Sequence, residues 1–312
     1  MKSQGIRTSL LWQYCDHFLI GRGRHDLRHF RSRGVNSVIA QFDPSSNGPR
    51  YLRMLVYSLA STFSEANEQR LRNISNRNLL GEPITVTHNG EAVCLDYLQA
   101  VLELAFIDEH MVTNEPLTVL EIGAGYGRTA HAIACNRPLA AYWIIDLPGC
   151  LSLSKQYLKQ VLPPDLFNRF HFVPVSEIQK IKNHHFDLAV NIDSFAEMSR
   201  DTVRCYLDVI DQQCRHLYVK NPVCNNLARP ADPTLGVIGR TKRYLGNMLC
   251  RRLTNNFLLA DEIDIFDESM VRERVPAFVA SYCPGATWSC LGQASAPPWI
   301  HYRQAMYRKQ MK

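Results

Sequence analysis

The residues best suited to chemistry lie in one stretch of the sequence, Leu117-Thr-Val-Leu-Glu-Ile-Gly-Ala-Gly-Tyr-Gly-Arg128. It predicts a short buried strand from Thr118 to Ile122, a glycine-rich turn, and a helix from about Tyr126 to Cys135. Gly123, Gly125 and Gly127 permit a positive φ and let a ligand approach the backbone closely. The unpaired N–H groups at the start of the helix favour an anionic group. The stretch therefore predicts a nucleotide-type site.

Two acidic residues accompany these glycines. Glu121 lies at the end of the first strand, before Ile122, and Asp146 closes the next one, 25 residues after Glu121, where a carboxylate can accept hydrogen bonds from both ribose hydroxyls. A dinucleotide fingerprint has the spacing Gly-x-Gly-x-x-Gly, but here the third glycine comes one residue early and Arg128 stands at the sixth position. The spacing thus departs from that of a nicotinamide or flavin site. Such a site, or a glycine turn that binds nothing, remains an alternative.

Alternating strands and helices position these residues. The strands predicted after the first are Ala141–Ile145, His171–Val175, Phe186–Ile192 and His216–Lys220, and the segments between them include predicted helices at Leu151–Leu162 and Arg200–Gln213. Short apolar strands separated by helix-length segments are typical of a parallel sheet with helices on both faces. In such an α/β sheet, ligands bind at the carboxyl ends of the strands, where the strand order reverses.

The chain is predicted to have two parts. Residues 1–110 are expected to form a mainly helical region that acts as a lid, an oligomerisation element or a substrate-binding element. Its helices are predicted at Tyr51–Phe63 and, with clear amphipathic spacing, at Glu91–His110. Residues 111–312 are expected to form the α/β domain, with a long insertion at about 223–285.

Composition and charge limit the classes of protein. The chain has 312 residues, of which 46% are hydrophobic and 21% charged, which predicts a globular protein with a sizeable core. Polar residues interrupt the apolar run of Met1–Arg24, so we expect neither a signal peptide nor a membrane span. Ten cysteines without a Cys-x-x-Cys pair favour reduced thiols and a cytoplasmic location, and no His/Cys cluster predicts a metal site.

Positive charge is concentrated at the start of the chain. The first 50 residues contain eight Lys and Arg against three acids, which gives +5 of the net charge of +6. Two interpretations remain open: a patch for an anionic substrate or nucleic acid, and a solvated helix face or loosely ordered arm, which we favour.

Three motifs together resemble a known family. They are Glu121-Ile-Gly-Ala-Gly-Tyr-Gly-Arg128, Ile145-Asp-Leu-Pro148 and Asn191-Ile-Asp-Ser-Phe-Ala-Glu-Met198. The first two resemble motif I and the following acid of class I S-adenosylmethionine-dependent methyltransferases. In order and spacing, all three are similar to the sugar O-methyltransferases, the group that includes the nanchangmycin sugar methylase. Asn47-Gly-Pro-Arg50 also resembles an upstream element of that group, so the resemblance covers roughly residues 45–220.

The resemblance implies a Rossmann-like class I methyltransferase sheet, mostly parallel, whose last strand is antiparallel; the tail Trp299–Tyr307 suits that strand. It implies S-adenosyl-L-methionine as cofactor and methylation of a sugar hydroxyl on a glycoside, a nucleotide-sugar or a polysaccharide. The cofactor would be bound by Glu121, Gly123, Gly125, Tyr126, Gly127, Asp146, Ser176 and Asn191. Contacts with the acceptor are expected from Ser194 and from Arg128. Alternatively, Arg128 pairs with the methionine carboxylate of the cofactor or forms an ion pair on the helix surface.

A hydroxyl acceptor needs a general base within hydrogen-bond reach. The base is expected at the end of the fourth predicted strand, where Asp193 and Glu197 lie. We slightly favour Glu197 as the base, with Asp193 and Asn191 positioning the cofactor or the acceptor. Alternatively, Asp193 or Ser194 caps the next helix.

Two other functions remain open. The basic N-terminal region contains aromatic residues that could stack on bases, as in an RNA methyltransferase. Asn191 is not followed by the Pro-Pro-aromatic element of base amino-methylating enzymes, so we expect a small-molecule or glycan acceptor rather than nucleic acid. The other alternative is a catalytically inactive module that binds the cofactor. Homo-oligomerisation is left open.

Overall fold

The computed structural model describes residues 44–198, 200–223 and 267–310. The basic segment 1–43 and most of the predicted insertion lie outside the described residues, so the interpretations that concern them stay predictions. No helix among the described residues is both long and apolar enough to cross a membrane.

The described residues before the sheet form three helices and a hairpin: α1 (Pro44–Ala60), α2 (Glu65–Asn73), β1 (Thr85–His88), β2 (Glu91–Cys94) and α3 (Leu95–His110). The predicted helix Glu91–His110 is therefore wrong in its first four residues, which pair with β1. The turn Asn89-Gly90 explains the difference, because both residues have positive φ, at 49° and 81°. This dipeptide is a strong hairpin signal that outweighs the helical spacing.

Seven strands form the central sheet: β3 (Leu117–Ile122), β4 (Leu139–Asp146), β5 (Phe170–Pro174), β6 (Phe186–Ile192), β7 (Cys214–Pro222), β8 (Trp288–Ala296) and β9 (Trp299–Lys309). Their order is β5-β4-β3-β6-β7-β9-β8. β3 to β7 pair in parallel, and β9 is antiparallel to both of its neighbours. The predicted Rossmann-like sheet with an antiparallel last strand is confirmed.

Helices cover both faces of the sheet. They are α4 (Arg128–Asn136), α5 (Pro148–Val161), the short α6 (Pro164–Phe167), α7 (Arg200–Gln213) and α8 (Glu268–Ala280), with 3₁₀ helices at Val175–Ile181 and Ser194–Glu197. Neighbouring strand residues face opposite sides: Val119 packs in the core with α1 to α5, and Leu120 in the core with α7 and α8. Both cores are apolar, as expected for a parallel sheet buried on two faces.

Helix α8 and strand β8 are among the elements that were not predicted. Helix α8 lies within the predicted insertion and packs on the second core through Val275 and Val279. Strand β8 forms the edge of the sheet beside β9, and its polar and small residues, such as Gly292, Gln293 and Ser295, hide the apolar alternation. The division of the chain at residue 110 stays a prediction.

Candidate active site

A cavity of about 330 Å³ opens where the strand order reverses, at the carboxyl ends of β3, β6 and β7. Strand β3 is the switch point, because the chain continues to β4 and β5 on one side and to β6 and β7 on the other. Six residues predicted from the sequence line this cavity: Glu121, Gly123, Gly125, Tyr126, Arg128 and Asp193. We call it the glycine-loop cavity.

The three glycines of the loop have φ values of 77°, 58° and 94°, all in the left-handed region. A Cβ at Gly123 would overlap the Ser194 Oγ, and a Cβ at Gly127 would lie 3.1 Å from the Leu158 Cδ1. At Gly125 a Cβ would meet nothing within 4 Å. Two of the glycines therefore permit close internal packing, and the backbone at Gly125 faces open space.

Asp146 is fixed at the end of β4 by backbone donors. Its Oδ2 accepts a hydrogen bond from the Gly125 N–H at 3.0 Å, and its Oδ1 accepts one from the Leu147 N–H at 2.7 Å. An ionised carboxylate has about four lone-pair positions, so each oxygen can accept a further hydrogen bond. The side chain is only half-buried. Asp146 can therefore accept from ligand hydroxyls while it holds the glycine loop.

Exposed apolar side chains lie beside Asp146. Leu147 is 61% exposed and Val175 is 37% exposed, and each directly follows a member of the register pair Asp146–Pro174 on β4 and β5. Ser176 is exposed in the next turn. This end of the sheet thus offers two apolar surfaces, with an acid and a hydroxyl nearby.

Glu121 lines the cavity, and its side chain is almost fully buried, at 2% exposed. The Tyr142 hydroxyl donates a hydrogen bond to its Oε2 at 2.8 Å. Burial raises the pKa of Glu121 to about 7, against the opposing effect of that hydrogen bond and of Arg128. Near neutral pH this carboxyl group can therefore respond to the charge of a ligand.

A buried ionic cluster forms one wall. Glu103 Oε1 accepts from Lys220 Nζ at 2.7 Å and from Arg128 NH2 at 3.1 Å, and Lys220 also donates to Gln99. Burial opposes ionisation of Glu103, but the two cations prevail and hold its pKa below the ordinary value. Arg128 was expected to contact the acceptor; the structure places it in this cluster while it also lines the cavity.

Sequence reasoning missed Glu103, Lys220 and Gln99. Glu103 is one of the charged residues on a helix otherwise buried by apolar side chains, and Lys220 stands near the end of a buried strand. A charged residue at a core position is the signal that could have identified them, because such groups are seldom buried without a partner.

Asn191 and Ser194 join the loop after β6 to the end of β3. Asn191 is buried and donates to the Ile122 carbonyl at 3.0 Å and to the Ser194 Oγ at 2.6 Å. The Ser194 hydroxyl also donates to that carbonyl, at 3.0 Å. These hydrogen bonds position the two loops. The predicted contacts of Asn191 with the cofactor and of Ser194 with the acceptor stay predictions.

Asp193 has an unusual backbone conformation, with φ of 67°. Such a value is uncommon outside glycine and costs energy, so other contacts must hold it. The Asp193 N–H donates to the Lys220 carbonyl at 2.8 Å, and the Tyr302 hydroxyl donates to Asp193 Oδ1 at 3.0 Å. The ammonium group of Lys220 lies 5.9 Å from the centre of the Tyr302 ring. The carboxylate is exposed where it lines the cavity.

The other predicted base, Glu197, ends the 3₁₀ helix Ser194–Glu197; its side chain lies outside the described part of the structure. Among the described residues, no group of three or more His, Cys, Asp or Glu side chains is arranged to hold a metal ion. Tyr302 and Trp299, on β9, line the same cavity as Asp193 and were not predicted as site residues.

Comparisons with known proteins give structural likenesses only, since no family model and no curated protein matches the chain. Mitomycin 7-O-methyltransferase MmcR aligns with 13% identity and a TM-score of 0.44 over 69% of this chain and 56% of that one. An O-methyltransferase family protein from Burkholderia thailandensis aligns with 14% identity and a TM-score of 0.43, over 69% and 58%.

Glycopeptide N-methyltransferase MtfA, solved with S-adenosyl-L-methionine, aligns with 13% identity and a TM-score of 0.41 over 68% of this chain and 87% of that one. The aligned part is little more than half of MmcR and of the Burkholderia protein. At these values the likenesses do not identify the function of this chain.

Proposed function

We propose that this chain is an S-adenosyl-L-methionine-dependent O-methyltransferase that methylates a sugar hydroxyl. The observation that carries the proposal is the glycine-loop cavity at the switch point, where Asp146 is fixed beside Gly125 and the wall charges are mostly negative. The resemblance of residues 45–220 to sugar O-methyltransferases supports the acceptor class.

Charge distinguishes the candidate cofactors. Among the described residues that line the cavity, the acids are Asp96, Glu121 and Asp193, and the bases are Arg128 and Lys220. Glu103 adds a further carboxylate behind the wall. The cavity is thus net negative even when Glu121 is protonated. S-adenosylmethionine has a net charge of about +1 from its sulfonium, ammonium and carboxylate groups, whereas a dinucleotide brings an anionic pyrophosphate.

The residues fit the parts of this cofactor. Asp146 would accept the ribose hydroxyls, and Leu147 and Val175 would cover the faces of the adenine ring. The first N–H groups of α4 would attract the carboxylate. Glu121 would lie toward a cationic group, which favours its ionised form.

When bound, the cofactor supplies an electrophilic methyl group, and the chain must hold an acceptor oxygen in line with it. We assign the role of general base to Asp193, which is exposed to the cavity in a conformation that is held by Lys220 and Tyr302. The Tyr302 hydroxyl orients one carboxylate oxygen and leaves the other for the acceptor proton. Glu197 stays an alternative base.

An uncharged acceptor suits the remaining wall. Gln99 presents an amide, and Trp299 and Tyr302 present aromatic rings that can pack against the apolar face of a sugar. The cations of the wall are already paired with Glu103, so the described residues favour a neutral hydroxyl compound over a polyanion such as RNA.

Calorimetric titrations with S-adenosylmethionine and NAD test the cofactor. We expect the first to bind and the second not to, and we expect Asp146→Ala to weaken binding at least tenfold. Asp165→Ala, at an exposed acid on α6, is the matched control and should change nothing. Tighter binding of NAD, or an unchanged Asp146→Ala variant, would contradict the assignment.

A methyl-transfer screen tests the acceptor. Nucleotide-sugars, glycosides, polysaccharide and RNA are incubated with the labelled donor, and products are identified by mass. Transfer to RNA alone would support the nucleic-acid alternative. Cofactor binding without transfer to any pool would support the inactive module.

A further inference from the structure

A second cavity, of about 500 Å³, lies between the segment that precedes the hairpin and helix α5. Its walls include Leu80 and Pro83 on one side and Leu153 and Tyr157 on the other. The volume is within the range of small-molecule sites. The proposed methyl transfer makes no use of this cavity, which is larger than the glycine-loop cavity.

Three tyrosine rings contribute to its walls. Tyr126 and Tyr157 meet edge to face, with ring centres 5.0 Å apart at 82°. The hydroxyl of buried Tyr97 is hydrogen-bonded to Tyr157 and, at 2.7 Å, to Nδ1 of His131. Because these two hydroxyl groups bond to one another, the rings present mainly apolar surface to the cavity.

Two charged residues, Arg77 and Asp96, are among the described residues of these walls. Arg77 forms an ion pair with Glu91, and Asp96 accepts a hydrogen bond from the Tyr126 hydroxyl at 2.9 Å. A polar group that a ligand could still bind is the side-chain amide of Gln160, on the exposed side of α5. An anionic ligand would lose hydration, and Arg77, the one cation among the described lining residues, is already neutralised by Glu91, so these walls disfavour an anion.

The second cavity and the glycine-loop cavity share two lining residues, Asp96 and Tyr126. The Tyr126 hydroxyl donates a hydrogen bond to Asp96 between them. At the outer end, Leu153 is 56% exposed beside the opening. A ligand that covered Leu153 would remove apolar surface from water.

We propose that this second cavity is a binding site for a planar aromatic molecule that has no negative charge and carries a hydroxyl or similar polar group, distinct from the glycine-loop cavity. The aromatic rings bind by edge-to-face and offset packing, and the glutamine amide binds the polar group.

The test is a fluorescence titration of the full chain with 2-naphthol, which is planar and uncharged at neutral pH. We expect saturable binding of one molecule per chain, and we expect Leu153→Arg to weaken it at least tenfold by placing a charge at the opening. Met54→Arg is the control, because Met54 has a similar exposure, 59%, on another helix and lines neither cavity. Absence of saturable binding, or equal losses in both variants, would overturn the proposal.

Saturating S-adenosylmethionine separates the two cavities. We expect it to leave 2-naphthol bound; competitive displacement would place the probe in the glycine-loop cavity and refute the second site. If S-adenosylmethionine does not bind at all, the proposed function fails, whereas the titration without it still decides the second site.

Discussion

The substitution Glu121→Gln tests the raised pKa of the buried Glu121 carboxyl group. The unfolded chain ionises Glu121 above its ordinary pKa of 4.5, whereas the folded protein holds the proton until about pH 7. The raised pKa therefore adds stability that is complete below pH 4.5 and is lost as the pH rises through 7. At about 1.4 kcal/mol per unit, this shift of roughly 2.5 units corresponds to up to about 3 kcal/mol.

Glutamine can still accept the hydrogen bond from Tyr142 and does not ionise, so it removes this pH dependence. We expect Glu121→Gln to be more stable than the wild type at pH 8, by up to about 3 kcal/mol, and similar to it at pH 4.5. Urea unfolding at both pH values measures the difference, since all other titrating groups are shared. If the free energy of unfolding of the wild type and of Glu121→Gln changed by the same amount between pH 4.5 and pH 8, the reasoning would be refuted.

The same carboxyl group predicts how cofactor binding depends on pH. A cationic ligand beside Glu121 favours the carboxylate, so binding below pH 7 should release a proton and weaken by up to about tenfold per pH unit. Calorimetry at pH 6 in two buffers with different ionisation enthalpies counts the protons released. We expect release from the wild type and much less from Glu121→Gln; no release from the wild type would place the cation elsewhere.

Two further substitutions probe the loop and the proposed base. Gly123→Ala should destabilise the protein by about 1–3 kcal/mol in urea unfolding, because its φ is positive and the new Cβ would overlap Ser194. Gly149→Ala, with open space around it in α5, is the control and should be neutral or stabilising. Tyr302→Phe should reduce methyl transfer about tenfold at unchanged cofactor affinity, because Asp193 loses its orienting hydrogen bond. Unaltered methyl transfer would show that Tyr302 does not act through Asp193.

Much of the fold could be predicted because the apolar pattern is strong where both faces of a strand are buried. Strand Phe186–Ile192 and helix Arg200–Gln213 have the predicted bounds. The pattern fails at the edge of the sheet, where β8 carries polar residues, and in the hairpin, where the β2 residues Glu91–Cys94 have the spacing of the helix that follows them. Both errors arise where exposure or local turn chemistry outweighs periodicity.

The sequence alone determined the glycine loop, its acid at the end of β3, and Asp146 at the end of β4. These features follow from local order, because a glycine turn between a strand and a helix, and an acid that ends the next strand, need no distant contact to be recognised. The structure adds that Asp146 binds the Gly125 N–H directly.

Only the tertiary structure joined Glu103 to Lys220 and Asp193 to Tyr302, pairs that are 117 and 109 residues apart in the chain. The parallel sheet brings the ends of strands that are distant in sequence to one edge, and the antiparallel β9 adds Tyr302 there. Burial and partners in space then decide how readily Glu103 and Lys220 are charged, since the cost of removing an ion from water depends on its partners. Local sequence order therefore located the glycine loop. The packing of strands and helices formed the ionic cluster of Glu103 and Lys220 and brought Tyr302 to the cavity beside Asp193.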